Sequence, residues 1–427
     1  MGHNEGMSWL FLAVSVVGAL FTLNAFRPST RWQAIPASFF AAWLTSELVV
    51  WHFAWQLVAT VIFVRLGALD AWPGWLGLAI TLASWTGLAM IAVTARRSAA
   101  VFEEAVNRAL DLEPGTRVKV PWRHVALPFY LRDRRVERIK NLRYGPYGKR
   151  NLLDVWRPRG ARDGERLRPV LLQIHGGAWV IGDKGQQGLP LMLQMAADGW
   201  VCVAINYRLS PRATWPDHLV DAKRALAWVR QHIAEYGGDP NRISVTGGSA
   251  GGHLAAMVGL TANDPRFQPG FEDVDTSVDA CVPMYGVFDF AGIFRSDSPS
   301  RASQRLGRWI MGKTITEDPA AYDDASPVCH IRRDAPPFFV VHGTADNLAP
   351  IGQAREFVTR LRAESENPVA YAEAPGASHA FDVFHSTRTT YAVHAIQRFL
   401  AWSHERAGAA PDPALPEAVP AAEPATG

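Results

Sequence analysis

A serine lies between glycines in a segment whose character changes from strand to helix. Gly247 and Gly251 flank Ser249, a strand is predicted at residues 242–245 and a helix at residues 250–260. A serine on such a tight turn presents its hydroxyl above the sheet, and the flanking glycines let the backbone adopt a strained conformation. The positive end of the following helix stabilises negative charge beside that hydroxyl. The segment therefore predicts Ser249 as a catalytic nucleophile.

A second glycine-containing loop offers hydrogen-bond donors. His175 and the small residues after it directly follow a predicted buried strand at residues 170–174. Small side chains there let backbone N–H groups point into a cavity, where they stabilise the oxyanion of a tetrahedral intermediate. We assign His175 to holding this loop rather than to proton transfer. The expected donors are, in order of preference, Gly177, Ala178 and Gly176 on this loop, with Ala250 beside the nucleophile.

A serine nucleophile needs a base, and the base needs an acid that orients it. Asp346 lies just after a predicted strand at residues 338–341, and His379 lies after another at residues 369–372. All these motifs stand at strand ends, so we predict Ser249, Asp346 and His379 as nucleophile, acid and base. The competing acids and bases are Asp289, Asp382, His253, His342 and His385.

Strand and helix signals alternate through the second part of the chain. A predicted antiparallel hairpin at residues 137–142 and 152–156 comes first. Strands that alternate with helices of this length predict an α/β fold, a mostly parallel sheet with helices on both faces. The further predicted strands are residues 170–174, 200–205, 242–245, 280–283, 338–341 and 369–372, and the predicted helices are residues 217–236, 250–260, 351–361 and 391–402.

The first 100 residues have a different composition. They hold only eight charged side chains, although the whole chain has 43 Lys and Arg and 40 Asp and Glu. Apolar runs at residues 9–26, 37–64 and 72–95 are each long enough to cross a bilayer, which predicts three transmembrane helices. The first run lacks the flanks of a cleaved signal peptide. Glu47 and His52 interrupt the second run, and we interpret them as an interhelical hydrogen-bonded pair, or as residues near a water-filled crevice, rather than as a functional site.

Three spans determine the predicted topology. They place the large domain on the same face as Arg27, Arg31, Arg96 and Arg97, opposite Arg65, so the positive-inside rule puts it in the cytoplasm. The arginine-rich composition suggests a bacterial chain, and hence the inner membrane. The predicted units are a membrane anchor at residues 1–97, a linker or cap segment at 98–135, a catalytic domain at 136–406 and a disordered tail at 407–427.

Composition and motifs also exclude several classes of protein. A net charge of +3, evenly spread, is not that of a nucleic-acid-binding protein. Three cysteines far apart exclude a disulfide scaffold and a CxxC motif. The sequence contains no HExxH motif or similar set of metal ligands. We therefore expect chemistry that needs neither a metal nor an organic cofactor.

Four stretches of the chain carry a family resemblance. They are IHGGAW at 174–179, YRLSP at 207–211, GGDPNR at 237–242 and GGSAGG at 247–252. Together they resemble the hormone-sensitive-lipase-like branch of bacterial carboxylesterases over residues 135–405, especially membrane-attached members such as isoprenylcysteine methylesterases. The resemblance implies an α/β-hydrolase fold, in which the order is serine, acid, histidine. It also implies ester hydrolysis through an acyl-serine intermediate.

The leading interpretation is therefore a membrane-anchored serine carboxylesterase or lipase. Its expected partners are a small-molecule or lipid ester as substrate and membrane lipids around residues 9–95, with no nucleic acid. An acyltransferase or amidase that uses the same three residues is the alternative. A non-catalytic receptor with a hydrolase fold is disfavoured, because the motifs are complete.

Overall fold

The computed structural model describes residues 3–31, 33–115, 118–160, 167–294 and 301–409. The strands in these ranges are β1 (Val136–Arg143), β2 (Leu152–Pro158), β3 (Arg168–Ile174), β4 (Val201–Ile205), β5 (Gly238–Gly248), β6 (Ala280–Met284), β7 (Phe338–Gly343) and β8 (Val369–Ala374). The helices are α1 (His3–Phe26), α2 (Ile35–Glu47), α3 (Val49–Arg65), α4 (Trp72–Leu110), α5 (Trp122–Ala126), α6 (Leu189–Ala197), α7 (Asp217–His232), α8 (Ala250–Leu260), α9 (Phe290–Phe294), α10 (Arg301–Met311), α11 (Pro319–Asp324), α12 (Ile351–Glu364) and α13 (Thr387–Ala409).

The eight strands form one sheet in the order β1-β2-β4-β3-β5-β6-β7-β8. The predicted hairpin is present, since β1 pairs antiparallel with β2, and β2 pairs antiparallel with β4. All the other neighbours are parallel. The prediction of a mostly parallel sheet is therefore confirmed. Parallel pairing also brings the carboxyl ends of β3, β5, β7 and β8 to one edge, where ligands bind in such sheets.

Both faces of the sheet are covered, as predicted. Successive side chains of a strand point to opposite faces, and accordingly Val170 and Leu172 belong to one core while Leu171 belongs to the other. The first core includes residues of α7, α8 and α12. The second includes residues of α6, α13 and the C-terminal part of α4, among them Phe102 and Val106. The end of α4 is thus built into the core of the domain that contains the sheet.

The helices α1 and α4 pack side by side and run in the same direction. The Thr81 hydroxyl donates to Ser15 Oγ at 2.9 Å, and two turns later along α1 a 2.8 Å hydrogen bond joins Thr22 and Ser84. Gly77 allows the close approach, because a Cβ there would lie 3.1 Å from the Cα of Leu12. Small residues and interhelical hydroxyl bonds are typical of helix packing in membranes.

The second apolar run forms two helices instead of the single one predicted at residues 37–64. The helices α2 and α3 meet at Leu48 at an angle of 92°. Only α3 runs back along α1, since Phe63 stacks on Phe11 at 5.6 Å while His52 lies 5.7 Å from Phe21. By length and composition, α1 and α4 can each cross a membrane, and the bent pair can supply a third crossing.

Two predicted boundaries also differ from the structure. The helix α4 continues without a break for 39 residues, so the boundary at residue 97 between anchor and linker falls inside it. Residues 98–110, at the start of the predicted linker, form the C-terminal part of α4. The predicted disordered tail lies almost entirely outside the described residues, since α13 continues to Ala409.

A buried ion pair joins the apolar region to the sheet domain. Arg388 Nη1 lies 2.8 Å from Glu47 Oε1, and both side chains are 1% exposed. Ser386 Oγ donates to the other Glu47 oxygen at 2.7 Å. Arg388 also donates to the carbonyls of Ser46 and Pro375, each at 3.0 Å. Glu47 therefore pairs with a cation of the sheet domain, whereas His52, its predicted hydrogen-bonding partner, lies within hydrogen-bond distance of Thr45 and Trp55.

We expect Glu47→Ala to lower the free energy of unfolding by about 3–5 kcal/mol, because it leaves the Arg388 charge buried without its counter-ion. The matched control is Glu104→Ala, which removes an exposed pair with Arg108 on α4 and should cost less than about 0.5 kcal/mol. Urea unfolding of the full chain in detergent measures both. A double variant, Glu47→Ala with Arg388→Met, should recover part of the loss; equal losses in Glu47→Ala and the control would contradict the expectation.

Candidate active site

Ser249 stands on the sharp turn between β5 and α8. Its φ is 58° and its ψ is −123°, a backbone conformation that is strained for a residue with a side chain. The neighbours must be glycine, because a Cβ at Gly247 would lie 2.4 Å from Gly251 O, and one at Gly251 would lie 2.1 Å from Ile174 O. The Ser249 hydroxyl is half-buried and makes no hydrogen bond to a described residue. It is therefore available to a ligand.

The loop after β3 passes directly beside this serine. A Cβ at Gly176 would lie 3.0 Å from the Cβ of Ser249. Gly177 and Ala178 both have positive φ, 120° and 51°. The Gly176 N–H donates to the Gln187 side chain at 2.7 Å, which makes Gly176 the weakest of the predicted donors.

Three of the four predicted donors have a free N–H group. Within the described ranges, the N–H groups of Gly177, Ala178 and Ala250 have no hydrogen-bond acceptor. Ala250 is buried, Gly177 is half-buried and Ala178 is exposed, so the donors on the loop after β3 are open to a ligand. These groups lie on the two segments that meet at Ser249, so they can bind a negatively charged oxygen formed there.

His175 contacts both this loop and Tyr207. Its Nδ1 lies 2.7 Å from Gly176 O, and its ring stacks on Tyr207 at 4.4 Å. The Tyr207 hydroxyl donates to the His175 carbonyl at 3.0 Å. Burial lowers the pKa of His175 to about 4, so the imidazole is neutral at physiological pH.

The structure brings together the predicted acid and base. His379 Nδ1 lies 2.7 Å from Asp346 Oδ2, and the Asp346 side chain is fully buried. The other Asp346 oxygen accepts the N–H groups of Leu348 and Ala349 at 2.8 and 2.9 Å. A carboxylate with these donors is held ionised and fixed in orientation. It can orient the imidazole and stabilise its protonated form.

Tyr285 lies between the serine turn and the histidine, and the sequence analysis did not identify it. A Cβ at Gly248 would lie 2.8 Å from the Tyr285 ring, and that ring lies 4.8 Å from His379 in an edge-on arrangement. The Tyr285 hydroxyl donates to the buried carboxyl group of Asp382. No motif marks Tyr285 in the sequence, because its role depends on packing between β6 and the loop after β8.

The competing residues have other partners. Asp289 accepts the Gly292 N–H at 2.7 Å, and Asp382 accepts from Tyr285. Among the histidines, His253 Nε2 lies 2.7 Å from the Ala325 carbonyl, and His342 Nε2 lies 3.0 Å from the Ala349 carbonyl and 3.3 Å from Asp346. His385 stacks on His124 at 3.9 Å. These contacts favour Asp346 and His379 for the two roles.

Comparison with known proteins places this architecture in a family. The family model described as BD-FAE matches residues 153–361. The "Probable carboxylic ester hydrolase LipM" of Mycobacterium tuberculosis (strain ATCC 25618 / H37Rv) is 44% identical over 418 residues, which cover 95% of this chain and 96% of that protein. The similarity therefore includes the N-terminal helices as well as the hydrolase domain.

Two further similarities cover mainly the hydrolase domain. A probable isoprenylcysteine alpha-carbonyl methylesterase, ICMEL1 of Oryza sativa subsp. japonica, is 33% identical over 236 residues, 51% of this chain and 52% of that protein. The solved structure of a truncated carbohydrate esterase from gut microbiota is 26% identical, with a TM-score of 0.53, and covers 62% of this chain and 96% of that chain.

The mostly parallel sheet and the serine turn after β5 define an α/β-hydrolase. The relationship to LipM along nearly the whole chain shows the family: the protein belongs to the carboxylic ester hydrolases. The predicted resemblance to bacterial carboxylesterases and to isoprenylcysteine methylesterases is confirmed.

The ionisation of Asp346 makes protein stability depend on pH. Burial alone would raise the pKa of Asp346, but attraction to His379 and hydrogen bonds from His342 and His379 outweigh it and hold this pKa well below its usual range. The folded-state pKa is thus below the unfolded value of about 3.9. The carboxylate therefore stabilises the fold fully above about pH 5, and this stabilisation is lost as the pH falls further.

We expect Asp346→Asn to unfold more easily than the wild type at pH 7, and we expect this difference to shrink between about pH 5 and pH 3. Urea unfolding of both proteins at pH 7, 5 and 3 measures the difference. A difference of the same size at pH 7 and pH 3 would contradict the assignment.

Proposed function

We propose that the protein is a membrane-anchored serine carboxylesterase that hydrolyses apolar acyl esters through an acyl-serine intermediate. One observation carries the proposal: the strained Ser249 turn lies beside a loop with free N–H groups, and the Asp346–His379 pair stands at the same sheet edge. Each of these features is what acyl transfer to a serine requires.

In the proposed reaction, Ser249 Oγ attacks the ester carbonyl carbon while His379 Nε2 accepts the hydroxyl proton. The N–H groups of Gly177, Ala178 and Ala250 bind the oxyanion of the tetrahedral intermediate. When that intermediate collapses, the bond to the alkoxide breaks and His379 gives the proton to the leaving oxygen. Water then attacks the acyl-serine by the same sequence, which releases the acid and restores Ser249.

The surfaces of the N-terminal helices support membrane anchoring. The outward faces of α1, α3 and α4 carry large apolar side chains, among them Leu20, Leu23, Val58 and Ile62, each more than half exposed. A contiguous exposed apolar surface marks a membrane or protein contact. At the start of α4, Trp72 is 65% exposed, in the position of an interfacial aromatic belt.

The arrangement of α1, α3 and α4 also supports the proposed topology. Because α1 and α4 are parallel and α3 runs back between their ends, the chain crosses three times. The hydrolase domain then lies on the side of Arg27, Arg31, Arg96 and Arg97, while Arg65 is on the other side. The positive-inside rule favours a cytoplasmic domain on a bacterial inner membrane.

An enzyme held at a bilayer has ready access to esters dissolved in it. The named relatives include a methylesterase of isoprenylcysteine, an ester with an apolar tail. We therefore propose amphiphilic, lipid-like esters as the substrate class. Because the site needs only its own side chains and backbone for this chemistry, the proposal includes no cofactor.

Ser249→Ala should lower kcat/KM for p-nitrophenyl esters by about 10⁴-fold or more, because the nucleophile is removed. The series from acetate to palmitate, measured on detergent-purified full chain, also locates the preferred acyl length. The matched control is Ser403→Ala, a buried serine on α13 that donates to Asp279 O, which should keep its activity within about twofold.

A fluorophosphonate probe, which labels reactive serines, distinguishes an esterase from an acyltransferase and from a non-catalytic binding protein. Labelling of folded wild type at Ser249, without hydrolysis, would favour an acyltransferase that needs an acceptor. Absence of both labelling and hydrolysis in folded protein would overturn the enzymatic proposal in favour of a binding protein.

The topology has its own test. A fluorescent protein fused after the C-terminus should fluoresce in a bacterial host, because such reporters fold in the cytoplasm, while an alkaline phosphatase fusion at the same place should be inactive. Fusions after residue 68, which follows α3, should give the opposite pair of results. An active phosphatase at the C-terminus would overturn the cytoplasmic assignment.

A further inference from the structure

The helix α2 presents aromatic side chains to the candidate base. The ring of Phe39 lies 6.2 Å from that of His379 in an edge-on arrangement. Trp43, one turn along, stacks on Phe39 at 5.6 Å and contacts Phe384 at 5.2 Å. Phe40 extends the cluster and is 54% exposed. A helix from the apolar region thus forms an aromatic surface beside the imidazole.

Both ends of α2 are held by the loops that carry the candidate acid and base. Before its first residue, the Ser29 carbonyl accepts a 2.9 Å hydrogen bond from Asn347, which directly follows the acid in sequence. At its last residue, Glu47 pairs with Arg388, which also donates to Pro375 O in the loop leading to the base. The helix is therefore fixed relative to the reacting groups.

The chemistry of ester hydrolysis says which part of a substrate this surface meets. In the proposed reaction, His379 gives its proton to the leaving alkoxide, so the alcohol part of the ester must lie against the imidazole. A side chain that contacts the imidazole ring on the side facing Ser249 borders the alcohol part, and the proposal places Phe39 there.

We propose that Phe39 and Trp43 form a wall of the alcohol-binding part of the site, and that they select esters whose alcohol is large and apolar. This inference rests on the proposed ester hydrolysis. Stacked aromatic rings offer a rigid apolar contact surface.

This assignment differs from a purely structural role for α2. A helix that only stabilised the His379 loop would affect all esters equally when altered. If α2 contacts the alcohol part, a substitution in α2 changes the order of kcat/KM among esters of different alcohols. The order among esters of different acyl chains then stays the same. Two ester series therefore separate the roles: acetates of linear alcohols from methanol to decanol, and p-nitrophenyl esters with acyl chains from acetate to decanoate.

We expect Phe39→Ala to lower kcat/KM for decyl acetate about tenfold relative to methyl acetate, which is the scale of discrimination that apolar contacts provide. Its ranking of the p-nitrophenyl esters should match the wild type. The matched control is Phe53→Ala, an exposed phenylalanine of α3 that packs on Trp85, which should change neither ranking. Release of acid in a pH-stat measures both series.

Equal losses across both series, or a change confined to acyl length, would overturn the proposal. If Phe39→Ala fails to fold, Phe39→Leu and Trp43→Phe carry the same test, because each keeps an apolar side chain and still reshapes the wall. Failure of the proposed ester hydrolysis would give a different result from failure of this inference, because the wild type would then hydrolyse neither ester series.

Discussion

The ion pair between Glu47 and Arg388 determines how the two parts of this protein fit together. Two charged side chains that are 1% exposed carry a desolvation cost that their mutual attraction alone does not reliably offset. Here the remaining hydrogen-bonding capacity is used by Ser386, Ser46 and Pro375. Apolar contacts would allow α2 to shift along the hydrolase domain, whereas a fully bonded ion pair defines one position.

The position of α2 on the hydrolase domain accounts for much of the N-terminal architecture. For Glu47 to reach Arg388, α2 must leave the line of α3, and the 92° bend at Leu48 achieves this. The helix α4 gives a second rigid connection, since its 39 residues extend about 58 Å from the apolar bundle into the core beside Phe102 and Val106. A continuous helix and a buried ion pair therefore join the bundle to the hydrolase domain.

The sequence predicted what depends on local signals and missed what depends on distant contacts. The sequence reveals the strand ends, the turn at Ser249 and the order of Asp346 and His379, because turn chemistry and periodicity are local signals. The break at Leu48 is not, since the hydropathy of residues 37–64 is that of one continuous run. The break is explained by the ion pair of Glu47 with Arg388, which lies 341 positions away. The contact of Tyr285 with Asp382 is invisible for the same reason.

The surroundings of His379 also distinguish Asp346 from Asp382, two candidate acids that lie close to it in the structure or in the sequence. Both Asp346 and Asp382 are buried, yet their surroundings act in opposite directions. The acid at Asp346 receives two backbone N–H groups and faces His379, and its pKa is lowered. Burial raises the pKa of Asp382, whose donor is the Tyr285 hydroxyl. When neighbouring acids have their pKa values driven apart, their roles separate, and this contrast supports the proposal that Asp346 supplies the negative charge that orients His379.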